Sequence, residues 1–416
     1  MSTVKSTAMS TAMSTVMSTA MSTTMSTTMS TAMSTLTKTP VFILHHIKLS
    51  HTVSYPVMLS YKVFTIMKDY LESQNLEIYD IIDFILLQEQ KDKIIDEKSN
   101  YKLTDIEIKN IYLNAVKNMM SYIENNDVYN GIVIGVQPYG FDPLFRPLHY
   151  EIFRKHNFKL FLWMDDLHAF NRNINMPDDA ITLDHRLDKV DYILTPSYNY
   201  YRNIKSPYLS KSIFYFYCLN ENWFNDLPTN NFRKRTNKIL ISGASGNGYP
   251  LRNYFREFYS YNIKLKAQRR KSHALFPYID YLQHPGYDRL TNGGKTGLDY
   301  LKILNSYRGA FFGFLKHPLD HPLAKIIEIL GSGTLGFFEY HPILEEQLGL
   351  IKFVHYVPIL VDKTNKPIFD VMYYQKYLNE PIGEQIMLAG CKYVREKFTM
   401  KKKCDEIVKL IISVKS

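Results

Sequence analysis

Cysteine is scarce in this chain: Cys218, Cys391 and Cys404 are the only three in 416 residues, and no two have Cys-x-x-Cys spacing. A disulfide scaffold and a zinc ribbon are excluded, and a reducing, cytoplasmic compartment is expected. No run approaches the ~18 consecutive apolar residues that a transmembrane helix requires. Acidic residues are in deficit, 40 against 50 basic, leaving a formal charge of +10. Residues 392–416 alone hold eight Lys/Arg against three Asp/Glu. Such a balance permits phosphate-bearing ligands, an acidic membrane surface or nucleic acid, and does not choose among them. What is present is ordinary for a globular protein. Hydrophobic residues make up 45% and charged residues 22%, which excludes a fully disordered chain. At about 150 residues per domain, the length suggests two or three domains.

Residues 1–37 are an array of MST-A/V/T tetrapeptides with Met at 9, 13, 17, 21, 25, 29 and 33. The Ser and Thr of every repeat compete for backbone hydrogen bonds and weaken a helix. The segment lacks the apolar and arginine content of a targeting peptide. It is expected to be a disordered low-complexity tail.

After Pro40 the pattern changes. VFILHHIKL and GIVIGV are apolar enough for buried strands, as are KLFLWM and VDYILTPS. Helical stretches lie between them: residues 57–74, a helix ending near Glu124, and one near 147–155. Short apolar strands alternating with helices indicate parallel βαβ units. The polar, Asn- and Pro-bearing stretch around 226–237 marks a linker. Beyond it the alternation restarts: strand KILISG, helix PLRNYFREFYSY, strand IKLKA (263–267), a helix around 297–306, strand RGAFFGF, helix HPLAKIIEILGSG and strand TLGFFEY. Residues 384–414 read as one C-terminal helix with a basic outer face. The expected fold is therefore α/β: two doubly wound Rossmann-like domains, at 38–225 and 238–383, facing a cleft, followed by the basic helix at 384–416. In that architecture ligands bind outside the carboxyl ends of the strands.

The segment DHPLAKIIEILGSG (320–333) carries the most chemistry. Asp320 suits an N-cap and Pro322 a first helical turn, while Gly331 and Gly333 suit the helix end. Such a helix N-terminus, with the charge of Lys325, would attract a diphosphate. Glu328 offers two carboxylate oxygens to the two vicinal hydroxyls of a ribose. A capped helix with a surface Lys–Glu pair is the plain alternative. ILISGASGNGYPLR (239–252) is a strand, a loop with Gly243, Gly246 and Gly248, and a helix start. Backbone there can approach an anion, and Arg252 can clamp a phosphate or lie on the helix surface. No Lys-Ser/Thr closes it as a Walker loop. A dehydrogenase reading, with Tyr393 and Lys397 as its pair, leaves too little chain after Lys397. In LQHPGYDRLTNGG, His284 and Tyr287 can border a nucleotide base or simply make an aromatic turn. KLKAQRRK (264–271) reads as a solvated basic face rather than a nucleic-acid surface. Past KLFLWM, Asp165, Asp166 and His168 can activate an acceptor hydroxyl or cap a helix. His45 and His46, ending the first strand, are further candidates. Asp165-Asp166 is not an Asp-x-Asp metal motif, so no metal is expected.

The stretch EILGSGTLGFF resembles the donor-nucleotide helix of GT-B glycosyltransferases, in which a Glu before a small-residue turn binds the ribose. Asp320 stands eight residues before Glu328, matching the family's paired acids in spacing. Through KILISG, YPLR, HPGY and KIIEILGSGTL, residues 238–358 are most similar to the spore-maturation-protein-like members. The resemblance implies a metal-independent transferase with a nucleotide-sugar donor as substrate and no separate cofactor. It implies donor binding by Gly243, Gly246, Arg252, His284, Tyr287, Lys325, Glu328 and Gly333, and catalysis by Asp166, His168 and Asp320. The acceptor would be a glycan, protein or small molecule, with no specific nucleic acid. A non-catalytic nucleotide- or nucleic-acid-binding protein on the same fold is the alternative.

Overall fold

The structure, a computed structural model, describes residues 38–44, 68, 70–74, 76–95, 103–137, 147–164, 187–243, 248–282, 297–315, 320–364 and 366–414. The tail at 1–37 lies outside them. Two parallel sheets organise the rest, within one unit spanning Pro40–Ser416.

The first sheet comprises β1 (Thr39–Leu44), β2 (Leu76–Asp80), β3 (Ile132–Gln137), β4 (Lys159–Met164), β5 (Tyr192–Thr195) and β6 (Ser212–Phe214). Their order is β2-β1-β3-β4-β5-β6, so the chain reverses direction across the sheet between β1 and β3. Helices α1 (Gln88–Ile95), α2 (Asp105–Asn125), α3 (Pro147–Lys155) and α4 (Tyr198–Asn203) accompany it. Local chemistry starts α2 cleanly: Thr104 Oγ1 accepts the Glu107 N–H, and the Glu107 carboxylate accepts the Thr104 N–H at 2.7 Å. Such a reciprocal box satisfies two donors that the first helical turn leaves open.

The second sheet holds β7 (Thr236–Ser242), β8 (Ile279–Leu282), β9 (Tyr307–Phe312), β10 (Leu335–Phe338) and β11 (Val357–Pro358). The order is β11-β10-β9-β7-β8, with every neighbouring pair parallel. Its switch point falls between β7 and β9. Around it lie α5 (Pro250–Ala267), α6 (Gly297–Asn305), α7 (Lys325–Gly331), α8 (Pro342–Glu346), α9 (Val371–Asn379) and α10 (Pro381–Lys397), and α11 (Met400–Ser413) ends the chain's helices. All four residues of β10 are buried, as a central parallel strand covered on both faces must be. Ile326, Ile327, Ile329 and Leu330 of α7 are each fully buried, so packing rather than propensity holds this Ile-rich helix.

Three expectations are corrected. IKLKA is the end of α5, not a strand: nothing between Tyr261 and Ile263 breaks the helix, and its alternation of apolar and basic residues fits either period. The strand falls instead at β8. The C-terminal segment is two helices, because Thr399 caps a new one by accepting the Lys402 N–H. The helix after Asp320 begins only at Lys325, and Asp320 is no N-cap: it takes a left-handed φ of 40°.

The last helix crosses back to the first sheet. Met400, Cys404, Ile407, Val408 and Ile411 share a core with Val41, Ile43, Ile132, Phe161 and Leu194. Stretch 226–237 is itself folded, with Leu227 and Phe232 fully buried. Arg235 fixes it there, donating to the carbonyls of Gly333 and Pro228 and to the Asn231 side chain.

Candidate active site

Charged side chains gather beyond the carboxyl ends of β7, β9 and β10. Arg252 comes from the first turn of α5 and is only 4% exposed, which removes the helix-surface alternative. Its guanidinium stacks over the Tyr249 ring at 3.9 Å and donates to the Gly313 carbonyl, just past β9, at 3.2 Å from Nη2. Gly243, just past β7, has φ 99°, a region that favours glycine. A Cβ there would lie 2.8 Å from Arg252 Nη1 and 3.5 Å from Lys325 Cε. The β7 end, Arg252 and Lys325 are thus in mutual contact range.

Lys325 and Glu328 are not a surface pair. Their side chains are 11% and 1% exposed, with Nζ 3.2 Å from Oε2. Among the described residues, neither oxygen of Glu328 accepts a hydrogen bond of good geometry, and the partner it has is the Lys325 charge. Leaving a charged group so costs about 1–3 kcal/mol or more, so the arrangement is expensive to keep. The Lys325 ammonium also donates to the Tyr300 hydroxyl at 2.6 Å and lies 4.0 Å from that ring's centroid. Burial opposes the charge on Lys325, but Glu328 and then Tyr300 outweigh it and hold its pKa above the ordinary lysine value. The ammonium is therefore charged at neutral pH.

Glu339 follows β10. Its Oε2 accepts the Phe314 N–H at 2.7 Å, and burial raises its pKa despite that bond and the nearby His341 and Arg252. Asp320 accepts from Asn203 Nδ2 at 2.9 Å, and its carboxylate lies 3.7 Å from His341 Nε2. Next to it, His321 bonds through Nδ1 to Ser197 Oγ at 2.5 Å and through Nε2 to Tyr217 OH at 3.2 Å. Segment 320–321 therefore joins the two halves, since Ser197 and Asn203 follow β5. This tertiary demand, rather than helix capping, sets the Asp320 backbone.

The structure brings together Gly243, Arg252, Lys325 and Glu328. Asp320 lies close to the Glu339–His341 side. Gly333 sits at the opposite end of α7 from Lys325, with φ 76° and its carbonyl bonded by Arg235. His45, His46, Asp165, Asp166, His168, Gly246, His284 and Tyr287 lie outside the described residues. Sequence reasoning missed Ser242, Tyr300, Glu339 and His321. Glu339 had a usable signal, an acid directly after a wholly apolar strand; Tyr300 had none. Among the described residues, no group of three or more His, Cys, Asp or Glu side chains could hold a metal ion, and no helix is long and apolar enough to cross a membrane.

Two parallel Rossmann-like sheets, the second carrying a charged cluster at its switch point, define a GT-B-like fold. The chain is similar in structure to a glycosyltransferase from Rickettsia africae: TM-score 0.52, 12% identity, covering 91% of this chain and 99% of that one. It is more distantly similar to the pneumococcal O-GlcNAc transferase GtfA in complex with UDP and GlcNAc, at TM-score 0.40 and 12% identity over 71% of this chain and 60% of that one. The trehalose-6-phosphate phosphatase N-terminal domain of Candida albicans follows at TM-score 0.42 and 10% identity, covering 90% and 97%. The last two are too remote to bear on the argument. No protein-family model and no curated protein matches the chain.

Proposed function

We propose that the protein is a glycosyltransferase, moving a sugar from a nucleotide-sugar donor to an acceptor hydroxyl. The second half would hold the donor and the first half the acceptor. The observation that carries this reading is the pair of Lys325 and buried Glu328, whose carboxylate receives no hydrogen bond among the described residues, facing Arg252 and Gly243 at the switch point. Two carboxylate oxygens match two vicinal ribose hydroxyls, and two fixed cations match a diphosphate. When the bond between sugar and diphosphate breaks, negative charge grows on the leaving oxygen. Lys325 and Arg252, already oriented in a water-poor site, would stabilise that charge without reorganising. Asp166 and His168 remain the proposed acceptor-side acid–base groups, and His284 and Tyr287 the proposed neighbours of the base. The similarity of segments 238–358 to spore-maturation-protein-like enzymes, metal independence and a cytoplasmic location belong to the same proposal.

The test is a thermal-shift screen against UDP, GDP, CDP, ADP and their sugars. A ligand at a hundred times its Kd stabilises the native state by about 2.7 kcal/mol, so one nucleotide series should raise Tm by some degrees. Release of free sugar from that donor, or transfer to an acceptor, separates an enzyme from a non-catalytic nucleotide binder. No shift with any nucleotide would sink both readings.

A further inference from the structure

The Lys325 ammonium has one neighbour that the proposed chemistry does not use. Tyr300, on α6, is buried between Lys325 and the carboxyl end of β7. Its hydroxyl lies 2.6 Å from Lys325 Nζ and 2.7 Å from Ser242 Oγ, and Ser242 immediately precedes Gly243. An ammonium has no lone pair, so the phenol oxygen accepts from Lys325, and the Tyr300 and Ser242 hydroxyls share a second hydrogen bond. The ring also faces the ammonium, its centroid 4.0 Å from Nζ. Burial pushes the Tyr300 pKa up, against the opposing effect of Lys325, so the phenol stays neutral.

A lysine side chain is a point charge on a flexible stem. Glu328, on the same helix, restrains it from one side by charge alone. Ser242, by contrast, ties the phenol to the strand end that Lys325 must face. We propose that Tyr300 is a positioning residue, setting the Lys325 ammonium against Gly243 for the phosphates of a nucleoside diphosphate. This rests on the nucleotide-sugar reading and adds to it a residue outside the ligand's own contacts.

Tyr300→Phe keeps the ring and nearly the whole volume, and removes only the oxygen. Titration calorimetry compares the parent and Tyr300→Phe, using whichever of UDP, GDP, CDP and ADP binds the parent best, and its nucleoside. Loss of one hydrogen bond to a charged group should weaken the diphosphate roughly tenfold and leave the nucleoside unchanged. Ser242→Ala, which frees the phenol without deleting it, should give a smaller loss in the same direction. It also serves if Tyr300→Phe does not fold. Equal losses for diphosphate and nucleoside, or no loss, would overturn the proposal. A ligand-free measurement keeps the two claims apart: a double-mutant cycle of Tyr300→Phe with Lys325→Met, read by urea midpoints. If the parent binds no nucleotide, the nucleotide-sugar reading fails. Additive midpoint shifts in the cycle would then show that Tyr300 does not hold Lys325 either, whereas coupled shifts would retain the positioning role for another anion.

Discussion

Among the described residues, two helices carry a Lys–Glu ion pair at the same i,i+3 spacing, and the pairs differ in the exposure of the acid. In α11, Lys403 Nζ donates to Glu406 Oε2 at 2.6 Å, beside the rings of Tyr215 and Phe398. In α7, Lys325 likewise sits over a ring, 3.2 Å from Glu328. Lys403 is buried, and the Lys325 side chain is 11% exposed. The acids are not alike: Glu406 is 48% exposed and Glu328 1%. Glu406 has a hydrogen bond and faces solvent, while among the described residues neither oxygen of Glu328 accepts a hydrogen bond and only the Lys325 charge stands against it. Glu339 stands between them, half-buried and bonded to the Phe314 N–H. The charge pair therefore does not set α7 apart; the unmet hydrogen-bonding capacity of its acid does. With only about 5–15 kcal/mol of total stability in a typical domain, such a group is a real loss.

The largest effect is expected where that capacity is greatest. Glu328→Gln keeps the shape but removes the charge. A hydrogen bond to a charged group is worth about 1.5–3 kcal/mol, so nucleotide affinity should fall roughly ten- to a hundredfold. Circular dichroism should show the fold intact. An unchanged affinity with a lower Tm would make Glu328 a packing residue, and the contrast with Glu406 would lose its meaning.

How much of this contrast was legible beforehand follows from which forces act locally. The alternation of apolar runs and helices pointed to β1, β3, β4, β5, β7, β9 and β10, since a strand buried on both faces is a short unbroken apolar run that needs no tertiary knowledge to see. Lys325, Glu328 and Arg252 were readable because the residue types and their place after a strand suffice. The start of α7 was not. Asp320 followed by Pro322 has the composition of a cap, but Asn203 and His341 claim the carboxylate and the backbone turns left-handed. The break at Phe398–Thr399 was hidden because apolar spacing runs on through α11. Strand β6, three residues long, offers no period to read. Tyr300 is invisible in one dimension: a buried tyrosine becomes a lysine's partner only when α6, α7 and β7 meet.

Glu339 should give the intermediate effect, and its sign is fixed by burial. Its folded-state pKa is raised, so between the unfolded and folded values the native state holds more protons. Stability from this group is thus fully present below the unfolded pKa and falls as pH rises through the folded one. Glu339→Gln imitates the protonated acid and still accepts the Phe314 N–H through its amide oxygen. The variant should melt above the parent at pH 8, and the gap should close as pH approaches 4. A variant that melts below the parent at pH 8, with the deficit closing on acidification, would mean that the carboxylate, held by Arg252 and His341, is the stabilising form.

The smallest effect belongs to Glu406, and it is the control on which the comparison depends. Its carboxylate is half in water, so solvent screens the attraction to Lys403 and replaces much of it when the acid is lost. With its acid half in water, the pair contributes on the scale of exposed pairs, about 0.2–1 kcal/mol. Glu406→Gln retains an acceptor for Lys403, whose stem stays packed against Tyr215 and Phe398. The expected Tm shift is about a degree or two at most, and nucleotide affinity should match the parent's. Raising the salt should shrink even that shift, because an exposed pair is screened where the α7 pair is not. Should Glu406→Gln reduce nucleotide affinity as Glu328→Gln does, both substitutions would be acting through general destabilisation. The i,i+3 pair of α7 would then have no claim to be more than the pair of α11.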